Sequence, residues 1–87
     1  MGKQTKASSL PTLDLHGERL EGLEDKVDRF ITSSQSKGHH QIRIMTGKGS
    51  GQVRATVQKY LKLGGYPAHF ERLADGTANE GVLIVQI

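Results

Sequence analysis

The chain has 87 residues, no cysteine and a net charge of +3, with a mean hydropathy of −0.48. That length suits a single two- or three-layer core. The missing cysteines exclude a disulfide framework and a thiolate zinc site, and no apolar run approaches the roughly 18 residues that a membrane span needs. A reducing cytoplasm is the expected setting, with no membrane partner.

Residues 1–10 read as a polar, aperiodic arm, whose two lysines have no apolar stretch behind them and so make no secretory signal. Residues 11–87 read as the folded domain. "TLDLH" alternates over Leu13 and Leu15, a short strand with Asp14 and His16 on its other face. Leu20, Leu23, Val27, Phe30, Ile31 and Ser34 then follow helical spacing, with Gly38 as a stop. "QIRIMT" gives a second strand with Ile42 and Ile44 on one face. "GKGSG" follows, and Ser50 is a suitable cap for a second helix along Val53, Val57, Tyr60 and Leu61, ended by Gly64 and Gly65. "AHFERL" alternates as a third strand, "LADGTANEG" is turn-rich, and "VLIVQI" suits a strand buried on both faces. The order β-α-β-α-β-β predicts a two-layer α/β sandwich with two helices on a four-stranded mixed sheet. Its first two strands should be parallel, joined by a right-handed crossover.

In that arrangement Asp14 and His16 stand at the carboxyl end of the first strand, and the glycine loop stands at the carboxyl end of the second. Both then reach the same rim, where open α/β sheets bind ligands. Gly47, Gly49 and Gly51 let backbone approach a ligand closely. The helix that follows offers unpaired N–H groups and a positive dipole end, and Lys48 adds a full charge. The loop therefore suits a phosphate. It lacks both the Walker Gly-Lys-Ser/Thr run and the G-x-G-x-x-G spacing, which argues against a nucleoside triphosphatase or a dinucleotide enzyme. A tight turn that holds no ligand would use the same glycines.

Asp14 and His16 supply a carboxylate and an imidazole beside that phosphate. The histidine can take or give a proton near neutral pH, and Asp14 can orient it or help hold a hydrated Mg²⁺ or Mn²⁺. The bland alternative is local capping by both. Charge supports an anionic partner: residues 38–70 hold five bases, Arg43, Lys48, Arg54, Lys59 and Lys62, and no acid. The residues expected to contact nucleic-acid phosphate are Arg43, Thr46, Gly47, Lys48, Gly49, Ser50, Gly51 and Arg54. His39 and His40 read as solvated loop residues.

"LDLHG" at 13–17 and "TGKGSG" at 46–51, followed by "EGVLIVQI" at the end, together resemble the Smr (small MutS-related) domain over residues 13–87. The resemblance implies a fold like the C-terminal domain of translation initiation factor three. It also implies binding of DNA or RNA, often with endonuclease activity, in which Asp14 and His16 would be the catalytic or metal-assisting pair. Such domains occur alone or at the C-terminus of larger proteins; the alternative is an inactive module that binds nucleic acid or ribosomes within a longer mismatch-repair or recombination protein. Thr46 stands where one branch of the family often has histidine, and Leu83 where many members have threonine.

Overall fold

The computed structural model describes residues 10–49 and 51–87; the rest of the expected arm, and Ser50, lie outside the described residues. Six elements follow in the expected order: β1 (Thr12–Asp14), α1 (Leu23–Ser36), β2 (Gln41–Met45), α2 (Gln52–Gly64), β3 (Ala68–Arg72) and β4 (Ala78–Gln86). The sheet order is β1-β2-β4-β3. β1 runs parallel to β2, and β4 pairs antiparallel with both β2 and β3.

Alternation decides which face the helices cover. Ile44 lies between Leu13 and Leu83 in register, and Ile42 lies opposite Val85. These residues join Leu15 with Leu23, Val27 and Ile31 of α1 and Val57 and Leu61 of α2 in one buried cluster. Both helices therefore cover the same face, and the fold is a two-layer α/β sandwich. Tyr60 links the helices at their rim, donating its hydroxyl to Asp28 at 2.6 Å. That bond, with partial burial, pushes the phenol pKa up to about 12.

Two boundaries differ from the sequence reading, each for a physical reason. α1 begins at Leu23, because Gly22 takes a left-handed conformation (φ 77°) that caps a helix and cannot sit within one. Leu20 thus falls outside the helix and is exposed. α2 begins at Gln52 after Gly51, also left-handed; the expected cap, Ser50, lies outside the described residues. β4 begins at Ala78 rather than after Gly81, because Ala78 and Asn79 pair with Arg72 and Glu71 beyond a register shift at Phe70/Glu71. "VLIVQI" is buried from Val82 through Val85, as its composition predicts.

Arg43 alternates with the core isoleucines and so lies on the sheet face away from the helices. From there its guanidinium reaches over β4 to Glu71, donating from Nε and Nη2 at 2.9 Å each. It also approaches Thr12 Oγ1 at 3.4 Å, and Asn79 donates to the same carboxylate at 3.4 Å. One network thus touches all four strands. The Arg43 contact holds the Glu71 carboxyl below its ordinary pKa. Its stabilisation is accordingly present above the unfolded-state pKa and lost as the pH falls through the folded one.

Glu71→Gln replaces a bidentate acceptor with a mixed donor–acceptor and should cost about 1–2 kcal/mol at neutral pH, since the pair is mostly but not fully shielded. Urea denaturation should show that difference shrinking as the wild-type carboxyl is protonated. An equal midpoint for both proteins at pH 7 would exclude a stabilising role for the network.

Candidate functional site

Parallel pairing brings Asp14 opposite Met45, so the ends of β1 and β2 finish together. The ladder continues one residue further, where Leu15 N–H donates to the Met45 carbonyl at 2.7 Å. The chain then turns at Gly17 (φ 73°). His16, just after the strand, meets the glycine loop directly. A Cβ built on Gly47 would lie 3.1 Å from the Cβ of His16, and Gly47 has φ 76°. Both the conformation and the close approach require glycine there. The two sequence motifs form one site.

A third stretch holds the loop from beneath. The Gly81 carbonyl of β4 accepts the amides of Thr46 (2.8 Å) and Gly47 (3.2 Å). A Cβ on Gly81 would come 3.3 Å from the Lys48 side chain, a tight fit, so the lysine stem lies close over this strand position. A glycine amid buried apolar strand residues is the signal of such an approach, and sequence reasoning passed over it. Thr46 is buried, its hydroxyl donating to the Gly47 carbonyl at 3.3 Å. Its amide and that of Gly47 are thus spoken for. The amides of Lys48, Gly49 and Gly51 donate to no acceptor among the described residues. Among the described residues Gly51 supplies no side-chain cap and no acid stands in the first turn of α2, whereas α1 carries Glu24 and Asp25 in its own. The positive end of α2 faces the cleft, which Gln52, Val53 and Arg54 of its first turn line.

That cleft, of about 650 Å³, runs between residues 16–20 and the loop with the first turn of α2. Lys48, Gly49, Gly51 and Arg54 line it as expected, and Arg19, Leu20 and Gln52 are additions. Arg54 lies 5.9 Å over the Phe70 ring and reaches the Glu80 carbonyl (3.4 Å) and carboxylate (3.5 Å). Arg43 is not brought to the cleft, because it is held by Glu71. His39 and His40 are exposed at the amino end of β2, the end away from the cleft.

Asp14 Oδ1 accepts both the His16 amide (3.1 Å) and His16 Nδ1 (2.5 Å). Local capping and imidazole orientation therefore coexist in one carboxylate. An ionised carboxylate only accepts, so Nδ1 carries the proton and Nε2 remains for exchange. The hydrogen bond raises the His16 pKa and lowers that of Asp14. A divalent cation finds a thin donor set here. Among the described residues no three His, Cys, Asp or Glu groups converge. Asp14 is engaged by His16, and Glu18 accepts from Lys26 at 2.6 Å. These residues do not fit a resident Mg²⁺ or Mn²⁺.

Fold and site define a small α/β domain that sets an acid–imidazole pair against a cationic strand-to-helix loop. The chain belongs to the Smr domain family, whose profile matches residues 13–87. It is 37% identical over 75 residues to the "Endonuclease MutS2" of Ligilactobacillus salivarius, covering 86% of this chain and 10% of that protein. It is 40% identical over 73 residues to the "Endonuclease MutS2" of Halalkalibacterium halodurans, covering 84% and 9%. The chain thus spans about a tenth of the length of these curated relatives. The crystal structure of the Smr domain of Thermus thermophilus MutS2 superposes with a TM-score of 0.74 at 23% identity, covering 88% of this chain and 96% of that one. That likeness establishes the fold. No helix among the described residues is long and apolar enough to cross a membrane.

The direction of the His16 shift fixes its linkage. The Asp14 contact stabilises the fold below the unfolded-state histidine pKa and fades as the pH rises through the folded one. For Asp14, stabilisation is present above its unfolded pKa and is lost as the pH falls through its depressed value. The pair is therefore most effective between these limits. NMR titration of the His16 ring should give a midpoint above the ordinary value of about 6.5, and Asp14→Asn should move it down. A midpoint at or below that ordinary value in the wild type would show that the contact does not form in solution.

Proposed function

We propose that this domain binds nucleic acid through a backbone phosphate seated on the 47–51 loop and hydrolyses a phosphodiester there. The observation that carries the reading is the contact of His16 with Gly47, which sets an oriented imidazole against a cationic loop with unused amides. Lys48, the free amides and the α2 dipole would stabilise charge building on the phosphoryl oxygens. Water would attack phosphorus while the ester P–O bond breaks; His16 would give its Nε2 proton to the leaving oxygen, and the attacking water would release a proton to solvent, which reprotonates the ring for the next turnover. Asp14 fixes the ring and stabilises its charged form, a positioning role of the kind that carboxylates play behind other imidazoles. The relatives' name, Endonuclease MutS2, agrees with this chemistry, and their length suits a domain that works within a longer chain. Lys48 and the loop amides read phosphate, which DNA and RNA share.

The test is cleavage of an end-labelled RNA and a supercoiled plasmid by wild type and His16→Gln, with Mg²⁺, Mn²⁺ or EDTA. Loss of general acid–base catalysis should slow cutting by roughly 10²- to 10⁴-fold while leaving binding in place. Equal cutting by both proteins, or none by either, would remove the catalytic half of the proposal.

Lys48→Ala separately tests the phosphate half. It should weaken binding of any sequence and lower the salt slope by about one unit. An unchanged slope would place the phosphate elsewhere.

A further inference from the structure

The cleft is chemically two-sided. Lys48, Gly49 and Arg54 make one side cationic, while Leu20 and Val53 add apolar surface to the same space. Among the described residues three large apolar side chains are exposed, Leu20, Leu63 and Leu73, and Leu20 alone of these lines the cleft. It is 44% exposed. Its position is built, not frayed: the Leu20 carbonyl accepts the Leu23 amide at 3.2 Å, at the entrance to α1. The neighbouring acid is drawn off, since Glu18 is bonded to Lys26, and Arg19 adds an exposed cation beside the leucine.

A phosphate alone would use the cationic side and leave Leu20 and Val53 wet. An anion carrying a flat, largely apolar body would use both sides. The volume of about 650 Å³ falls within the range of small-ligand clefts. Bases stacked inside a duplex cannot enter such a space, whereas a splayed base can.

We infer that the cleft seats an unpaired nucleotide, with its phosphate on the glycine loop and its base against Leu20 and Val53, so that single-stranded or locally opened nucleic acid is the substrate class. This rests on the phosphate reading above and adds a base-contacting residue to it. The base contact is apolar and edge-blind, so it tolerates any sequence. DNA and RNA can both supply such a base.

The experiment measures binding of the 87-residue chain to oligothymidylate, oligouridylate, an abasic deoxyribose-phosphate strand and a blunt duplex. All are about 15 nucleotides long, within the span of single-strand sites. Wild type should bind at least one base-bearing single strand roughly five- to tenfold tighter than the abasic strand of equal charge, the scale of partial burial of a leucine. Leu20→Ala should erase that preference while retaining charge-driven affinity for the abasic strand, and Leu20→Met should keep it. Circular dichroism of both variants should match wild type, since position 20 lies outside the helix. Equal wild-type affinity for abasic and base-bearing strands, or a uniform loss in Leu20→Ala, overturns the base seat and leaves the phosphate reading standing. Failure of wild type to bind any of the four overturns both.

Discussion

The parallel pairing of β1 with β2 is the constraint on which the rest depends. Parallel neighbours cannot be joined by a hairpin, so the chain must cross over, and α1 is that crossover. The same pairing puts both carboxyl ends at one rim. Were β2 reversed, the loop after Thr46 would lie a strand's length from His16, about 15 Å away at ordinary strand rise. With the strands parallel, what remains is clearance, and clearance falls to two glycines. Gly47 lets the loop pass against His16, and Gly81 lets the Lys48 stem lie across β4. Three segments far apart in sequence thereby come together, with the Thr46 and Gly47 amides bonded to the Gly81 carbonyl.

Charge behaves differently from topology. Five bases stand without an acid between residues 38 and 70, and a linear count treats them alike. In the fold they part company. Arg43 is held by Glu71, and Arg54 leans on Glu80, both acids that lie downstream of the basic block. Of the five, Lys48 lines the cleft with no ion pair among the described residues, as does Arg19 from outside the block. The field at the cleft is therefore carried by fewer cations than the count implies. The positive dipole end of α2, whose first turn holds no acid, adds to their effect.

Element order, the parallel pair and the core were legible because each rests on periodicity that solvent enforces: Ile42 with Ile44, Val57 with Leu61, and the run from Val82 to Val85. The meeting of "LDLHG" with the glycine loop was legible too, since it follows from parallel strands alone. The illegible parts depend on long-range partners or on backbone conformation. Ala78 and Asn79 look like turn residues and become strand only because β3 offers them a ladder beyond its register shift. Leu20 fits the helical stripe, yet Gly22 ends that stripe's claim on it through a backbone conformation rather than hydropathy. Leu83, flanked in register by Ile44 of β2 and Phe70 of β3, is buried, so that position belongs to the core. Gly81 carried its signal in plain view, a bare residue at the head of a buried strand.

The exposure of the acid–imidazole pair bears on what His16 can do. Its side chain is 70% exposed and that of Asp14 is 50%, so burial hardly opposes the charged ring, and the hydrogen bond to Asp14 dominates its proton affinity. A ring tuned this way responds to whatever anion approaches Nε2. On the nuclease reading, a phosphodiester on the loop brings a second negative charge to the imidazolium and favours the protonated form further. The histidine is then better prepared to give a proton to a leaving oxygen than to take one from water. Lys48 and the α2 dipole push in the opposite sense, but they act first on the phosphate, whose charge they offset. The balance between Asp14 behind the ring and the loop in front of it sets the pH range over which the site can work.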